Sequence, residues 1–139
     1  MGHIRDILFG AILASLMLLP FLTYTGIILP TPYKDVEINK IRVEPVTSSI
    51  YFSANFVKND SCKFVELAVF TRELGIWNRV PWQDAKGIDH GDRIAGNQTI
   101  ELLIPVSPIA DLVEIRTRHQ CGVAKVDKIF ASFKPESRD

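Results

Sequence analysis

The 139-residue chain is poor in the side chains from which most metal and redox centres are built. It has two cysteines, three histidines and two methionines, and none of the motifs C-x-x-C, C-x-x-C-H or H-E-x-x-H. Zinc ribbons, c-type haem attachment and zincin proteases are therefore excluded. A blue-copper site is not expected either, because Met1 and Met17 both precede the part of the chain that holds His119 and Cys121.

The chain also lacks the motifs of nucleophilic and phosphoryl-transfer enzymes. It contains no G-x-S-x-G elbow and no glycine-rich phosphate loop. It carries no net charge, because 16 Lys and Arg residues balance 16 Asp and Glu residues and the two signs are interspersed. Nucleic-acid binding needs a basic surface that displaces counterions, so nucleic acid is not an expected partner. The sequence predicts no enzymatic activity, no cofactor and no metal ion.

What the chain does have is one long uncharged stretch near its N-terminus. Residues Ile7 to Leu29 contain no charged side chain, and as a helix they would extend roughly 35 Å. That length spans the hydrocarbon core of a bilayer, which is about 30 Å thick. A cleaved secretory signal would have a shorter apolar core of about 7–15 residues and a small-x-small cleavage site, which Thr23–Gly26 does not provide. Residues 1–30 are therefore predicted to be an uncleaved transmembrane anchor in contact with the lipid bilayer.

One face of this predicted helix collects small residues, which are Gly10, Ala11, Ala14 and Ser15. Their spacing forms two small-xxx-small pairs, and such pairs let another membrane helix approach closely. The alternative interpretation is that small residues are simply common in membrane helices. We take this face as a candidate helix-packing site.

Beyond this stretch, short alternating apolar runs take the place of helical periodicity. Residues 31–35 are predicted to form a proline-containing neck, residues 36–134 an all-β domain and residues 135–139 a C-terminal tail. Seven strands are predicted, at Val36–Glu44, Ser49–Val57, Lys63–Arg72, Ile76–Trp82, Thr99–Pro105, Asp111–Cys121 and Val126–Phe133. This pattern is typical of an immunoglobulin-like or fibronectin-like β-sandwich, and a small barrel is the alternative. The apolar parity flips near Asn39, which predicts a β-bulge in the first strand.

The two cysteines test this arrangement of strands. Cys62 opens the third predicted strand and Cys121 closes the sixth. In an immunoglobulin-type sandwich these strands are antiparallel neighbours, so both cysteines fall at the same end of one sheet. A disulfide between them is predicted, and it would place the β domain outside the reducing cytosol. The alternative is a pair of unlinked buried thiols in a reducing compartment.

The orientation of the anchor depends on this disulfide. The Lys and Arg residues that flank the apolar stretch do not decide it, because large domains cross membranes largely regardless of charge. We therefore expect a single-pass membrane protein with its N-terminus in the cytoplasm and its C-terminal domain in the periplasm or the extracellular space.

The polar loop after the fourth predicted strand is the best candidate for a contact site in the β domain. The candidate residues are Trp77, Trp82, Asp84, Asp89, His90 and Asp92. Exposed tryptophans would anchor a protein contact, whereas tryptophans that cap the sandwich core would not. The carboxylates are also of the type that binds Ca²⁺, but their spacing matches no EF-hand, and a solvated turn is the default interpretation.

The layout resembles small single-span proteins of tailed phages and proteobacteria. The resemblance rests on Cys62 and on the run His119-Gln120-Cys121-Gly122 after the strand Leu112–Arg118. Those proteins combine an N-terminal anchor and a Pro-rich neck with an extracytoplasmic immunoglobulin-like domain. The resemblance covers the whole chain and implies a location more than an activity.

These features together favour a non-enzymatic accessory or structural subunit of a larger membrane protein complex. Its helix and its β domain would both contact other membrane protein subunits. The alternative is a free-standing membrane-anchored module that recognises an envelope protein or an external ligand. A third hypothesis, a metal chaperone, is disfavoured because copper chaperones of this layout carry a C-x-C motif, which the chain lacks.

Overall fold

The alternating apolar runs of the sequence form two antiparallel sheets behind one N-terminal helix. The structure, a computed structural model, describes residues 2–24, 31–59, 62–86 and 95–138. The helix is α1 (Gly2–Tyr24), and the strands are β1 (Tyr33–Glu44), β2 (Ser49–Lys58), β3 (Lys63–Glu73), β4 (Ile76–Val80), β5 (Gln83–Asp84), β6 (Gly96–Pro105), β7 (Ala110–Cys121) and β8 (Ala124–Phe133).

Each sheet has four strands, in the orders β1-β2-β6-β5 and β4-β3-β7-β8. We call them the first and the second sheet. The prediction of an all-β domain behind one apolar helix is confirmed, although eight strands are described where seven were predicted. The additional strand, β5, lies in the predicted polar loop, where Gln83 and Asp84 pair with β6.

The predicted irregularity of the first strand is confirmed. The pairing of β1 with β2 shifts register between Ile38 and Lys40, next to Asn39, and again between Lys34 and Glu37. Because each shift moves the following side chains to the other face, residues on both sides of Asn39 can turn their apolar side chains towards the core.

The core lies between the two sheets and is closed at one end by aromatic side chains. Tyr33 is only 2% exposed, and its ring lies 5.2 Å from that of Phe130 and 6.0 Å from that of Phe56. Its hydroxyl is 3.0 Å from the hydroxyl of buried Thr117. β1 therefore begins at Tyr33, inside the segment predicted to be a neck. The reason is that an aromatic side chain gains more from core burial than a linker position would allow.

The C-terminal tail pairs with the outer edge of β1. The Ile41 amide donates to the carbonyl oxygen of Arg138 at 2.7 Å, and the Arg138 amide donates to the Ile41 carbonyl oxygen at 2.6 Å. The Val43 amide also donates to the hydroxyl of Ser137 at 2.9 Å. The tail thus covers part of an edge strand that would otherwise be open to strand addition.

The helix α1 is long and apolar enough to cross a membrane. Its segment His3–Pro20 has a mean hydropathy of 1.5 and buries none of its length against the rest of the protein. Large apolar side chains are exposed all around it, among them Ile7, Phe9, Leu16 and Met17. Residues 25–30, which complete the predicted anchor, lie outside the described residues.

Candidate functional site

A hairpin with a strained, exposed tip joins β3 to β4. Glu73 pairs with Ile76, which leaves Leu74 and Gly75 as a two-residue turn. Both have positive φ, 49° and 79°, and two such residues define a type I′ turn. Glycine adopts this conformation readily, but leucine has to bear a steric cost of about 1–2 kcal/mol. Leu74 is nevertheless 86% exposed, so packing within the described residues does not offset this steric cost.

The hairpin continues into the outer face of the second sheet. Cross-strand pairing aligns residues on neighbouring strands into rows that project from one face. From the hairpin outwards, the four rows are Trp77–Arg72–Leu112, Arg79–Phe70–Glu114, Ala68–Arg116–Ile129 and Glu66–Arg118–Asp127. This face thus carries four arginines and two large aromatic side chains.

Each of the four arginines is paired with a carboxylate. Arg72 holds Asp111 in a two-point contact of 3.0 and 2.9 Å, and Arg118 holds Asp127 in one of 2.7 and 3.2 Å. Ion pairs also join Arg79 to Glu66 and Arg116 to Glu114. The guanidinium groups lower the pKa values of Asp111 and Asp127. Because positive and negative groups balance in these four rows, this part of the face is not suited to a phosphate or another free anion.

The arginines also lie against the aromatic rings. The Arg116 guanidinium is 4.4 Å from the centre of the Phe70 ring. The Trp77 ring has two such neighbours, Arg72 at 5.8 Å and Arg116 at 5.7 Å. Contacts of this kind hold both partners in place, so the face presents a set of pre-positioned side chains.

We define the hairpin surface by five residues, which are Leu74 at the tip and Trp77, Phe70, Arg72 and Arg116 on the outer face. It adjoins a shallow depression of about 390 Å³ that Phe70, Arg79 and Arg116 help to line. Trp77 is 38% exposed and Leu74 more so. Tryptophan and arginine are the residue types that contribute most to protein–protein binding energy, so this arrangement is suited to a protein contact.

The two tryptophans of the predicted contact loop are placed differently. Trp77 belongs to the hairpin surface. Trp82 is half-buried against the core, and its Nε1 donates to the carbonyl oxygen of Leu67 at 3.0 Å. Trp82 therefore packs against the core, as in the alternative interpretation, and Trp77 is the more exposed of the two. Asp84 is half-buried in β5 and accepts a hydrogen bond from the Lys86 amide at 2.7 Å, while Asp89, His90 and Asp92 lie outside the described residues.

A polar cluster on the first sheet fixes the start of that loop. The Tyr51 hydroxyl donates to one carboxylate oxygen of Glu101 at 2.5 Å, and the Lys86 ammonium lies 2.6 Å from the other. Lys86 and then Tyr51 hold the pKa of the Glu101 carboxyl below its ordinary value. The hydrogen bond to Glu101 in turn raises the pKa of Tyr51. Lys86, the last described residue before residue 87, is thereby tied to the sheet.

The predicted disulfide between the two cysteines is present. A disulfide links Cys62 to Cys121, with their Cα atoms 4.3 Å apart, and both side chains are buried. Nearby His119 is also buried, with its ring centre 5.5 Å from that of Tyr33 and 5.8 Å from that of Phe64. In the described part of the chain no three His, Cys, Asp or Glu side chains form a group suited to a metal ion.

The predicted helix-packing residues lie exposed on α1. Gly10, Ala11, Ala14 and Ser15 are all accessible, and a methyl group added at Gly10 would meet no atom of the described part of the chain within 4 Å. The Ser15 hydroxyl donates to the carbonyl oxygen of Ala11 at 2.9 Å, so its polar group is satisfied within the helix, as a membrane segment requires.

Comparisons with protein-family models, with curated proteins and with solved structures gave no match for this chain. Sequence reasoning found Trp77 but missed Phe70, Arg72 and Arg116. Their outward parity in β3 and β7 was a usable signal, but the sequence does not say which outward residues are neighbours across strands.

Proposed function

We propose that this protein is a non-enzymatic accessory subunit of a larger membrane protein complex, anchored by α1 and contacting its partners through the β domain. The observation that carries the proposal is the helix, which is apolar around its circumference and exposes that apolar surface along His3–Pro20. Such a helix requires an apolar environment outside its own chain. A bilayer supplies it, and neighbouring membrane subunits can supply part of it.

We further propose that the N-terminus is cytoplasmic and the β domain periplasmic or extracellular. The support is the Cys62–Cys121 disulfide, because such bonds persist in oxidising compartments and are rare in the cytosol. Thiol labelling of native membranes with a maleimide, before and after reduction, tests it. Labelling only after reduction and denaturation is expected. Labelling without reductant would contradict the orientation.

The β domain is proposed to have the immunoglobulin-like topology. Its support is the strand order of the two sheets. If β1, β2, β3, β4, β5, β6, β7 and β8 correspond to A, B, C, C′, D, E, F and G, the sheets read A-B-E-D and C′-C-F-G. The first is the order of one immunoglobulin sheet, and the second is that of the other sheet with one added strand.

The partner contacts are assigned to the small-residue face of α1 and to the hairpin surface. Two observations support the hairpin surface, namely the exposed leucine in a strained turn and the tryptophan held between arginines. Strained residues persist where function requires them, and aromatic and arginine anchors dominate contact energies. The helix face is supported by the open space at Gly10, where no atom of the described residues would block close approach.

The experiment is purification of the tagged full chain from native membranes in mild detergent. We expect stoichiometric partner subunits with the unchanged chain, and their loss with Leu74→Asp or Trp77→Ala. Val46→Asp is the matched control, because Val46 is also an exposed aliphatic residue in a turn, but in the first sheet. A monodisperse monomer without partners would contradict the accessory-subunit function and favour a free-standing binding module.

A further inference from the structure

At one end of the sandwich, the first residues of the β domain are held firmly by burial and by hydrogen bonds. Pro32 and Tyr33 are both buried there. The Asn59 amide donates to the Pro32 carbonyl oxygen at 2.9 Å, and the Lys128 ammonium donates to the Tyr33 carbonyl oxygen at 3.1 Å. The position at which the chain leaves the β domain is therefore fixed, and we call this the neck end.

The neck end is held close to the helix by the length of the chain between them. Seven peptide steps separate Tyr24, the last residue of α1, from Thr31. Even fully extended, they reach no further than about 25 Å. By comparison, β1 alone has 12 residues and extends about 40 Å. With α1 in a bilayer, the neck end stays near the membrane surface, whereas the opposite end has no such tether.

The neck end carries aliphatic side chains that the core does not use. Val123 is 55% exposed at the tip of the β7–β8 turn, and Val65 is 51% exposed. Val65 occupies the register shift between Phe64 and Glu66, so it is turned out of the regular sheet. Two exposed valines alone would be unremarkable on a protein surface, and their significance depends on the charges beside them.

Two lysines flank these valines. Lys63 and Lys125 both pair with Gln120, so the three side chains form one cross-strand row on the outer face of the second sheet. Both lysines are exposed, and within the described residues neither ammonium lies within 4.0 Å of a carboxylate. The charge of Lys125 acts on Asp127 without a direct contact, whereas each of the arginines further along the same face touches a carboxylate.

We propose that this patch, Lys63, Val65, Val123 and Lys125, contacts the lipid surface of the membrane in which α1 is anchored. Lysine ammonium groups bind headgroup phosphates while their alkyl stems lie along the apolar boundary. Valines enter that boundary. The inference depends on the proposed anchorage of α1, and it holds for either orientation of the anchor.

The disulfide has a direct role in this patch. Cys62 immediately precedes Lys63, and Cys121 is two residues before Val123. The Cys62–Cys121 bond therefore ties the start of β3 to the end of β7 and holds both halves of the patch at a fixed separation. A lipid-facing patch made of two separate chain segments benefits from such a link, because less side-chain and backbone freedom is lost on contact.

The test uses the full chain in lipid nanodiscs that contain a gadolinium-chelating lipid, with and without phosphatidylglycerol. We expect the amide proton of Val123 to relax several-fold faster than that of Val46, which lies in the β1–β2 turn at the opposite end. Equal enhancement at the two ends, or a larger one at Val46, would overturn the inference.

Charge reversals separate contact from mere proximity. Lys125→Glu is expected to reduce the enhancement at Val123 in anionic nanodiscs, whereas the matched control Lys134→Glu, an exposed lysine after β8, is not. An unchanged enhancement in Lys125→Glu would mean that the tether alone brings the neck end close, and the contact would be refuted.

Alkaline carbonate extraction reports separately on the membrane anchorage of α1. Release of the chain would overturn the anchorage and this inference with it, whereas retention with equal relaxation at both ends would overturn this inference alone.

Discussion

Removal of the Cys62–Cys121 disulfide is the perturbation whose effect follows most directly from the structure. The bond closes a segment with a sequence separation of 59. On the chain-entropy model, a closed loop of this length restricts the unfolded chain enough to stabilise the folded domain by about 4 kcal/mol. Burial of the sulfur atoms beside Val126 adds a packing contribution that is separate from the covalent link.

Two forms of the chain separate these contributions. Reduced wild-type protein keeps the sulfur atoms and loses only the bond, whereas the double variant Cys62→Ala, Cys121→Ala loses both. We expect reduction alone to lower the free energy of unfolding by about 4 kcal/mol, and the double variant to fall slightly further. At an ordinary denaturant dependence of about 2 kcal/mol per molar, the urea midpoint falls by about 2 M.

The assay is urea unfolding of the full chain in detergent, followed by tryptophan fluorescence. Half-buried Trp82, hydrogen-bonded to Leu67, reports on the sandwich. The denaturant dependence should also increase, because an unlinked unfolded chain exposes more surface. A loss below about 1 kcal/mol on reduction, with the dependence unchanged, would refute the chain-entropy reasoning.

Three further perturbations address other parts of the domain. Burial raises the pKa of Tyr33 from 10.0 to about 12, so the stability that its protonated form provides is intact below pH 10 and is lost as the pH rises through about 12. Absorbance at 295 nm should show this ionisation near pH 12, and Tyr33→Phe should remove it while the ionisation of Tyr51, whose pKa is also raised, remains. Leu74→Asn should raise the free energy of unfolding by about 1 kcal/mol, because asparagine tolerates the left-handed conformation. The control Leu74→Ala keeps the strain and should not raise it. Equal urea midpoints for the two variants would contradict this. The lowered pKa of Glu101 means that its contribution is present above its unfolded pKa and is lost as the pH falls through the folded value. Glu101→Gln should therefore show a smaller fall in urea midpoint than wild type between about pH 7 and about pH 3, and an equal fall would show that other carboxylates dominate.

The sequence predicted those features of the fold that leave a local pattern. The parity flip near Asn39 identified the irregularity of β1, and the alternation in β7 separated inward Val113 and Ile115 from outward Arg116. The positions of Cys62 and Cys121 at strand ends predicted their pairing, because antiparallel neighbours bring one strand's start beside the other's end.

Other features depend on tertiary contacts and could not be read in this way. β5 has two residues, too few to show a period, and it exists because β6 offers it a partner. Tyr33 follows a proline-rich segment that predicts a linker, yet it packs among aromatic side chains that lie far away in the sequence. The hairpin surface joins residues of β3, β4 and β7, and only the register reveals that Trp77, Arg72 and Arg116 are neighbours.

The two proposed contact regions lie at opposite ends of the same sheet. β3 runs from Lys63, beside the patch of the neck end, to Glu73, beside the hairpin tip, and its 11 residues span about 35 Å. If the neck end rests on the lipid surface and β3 stands upright on it, the hairpin surface lies well above the bilayer and out of reach of membrane-embedded helices. A partner that binds it must therefore have its own extramembrane domain at that height. In the proposed complex the small-residue face of α1 contacts the partner's membrane segment, so loss of binding through the β domain in Trp77→Ala with retained binding through α1 would distinguish the two contacts.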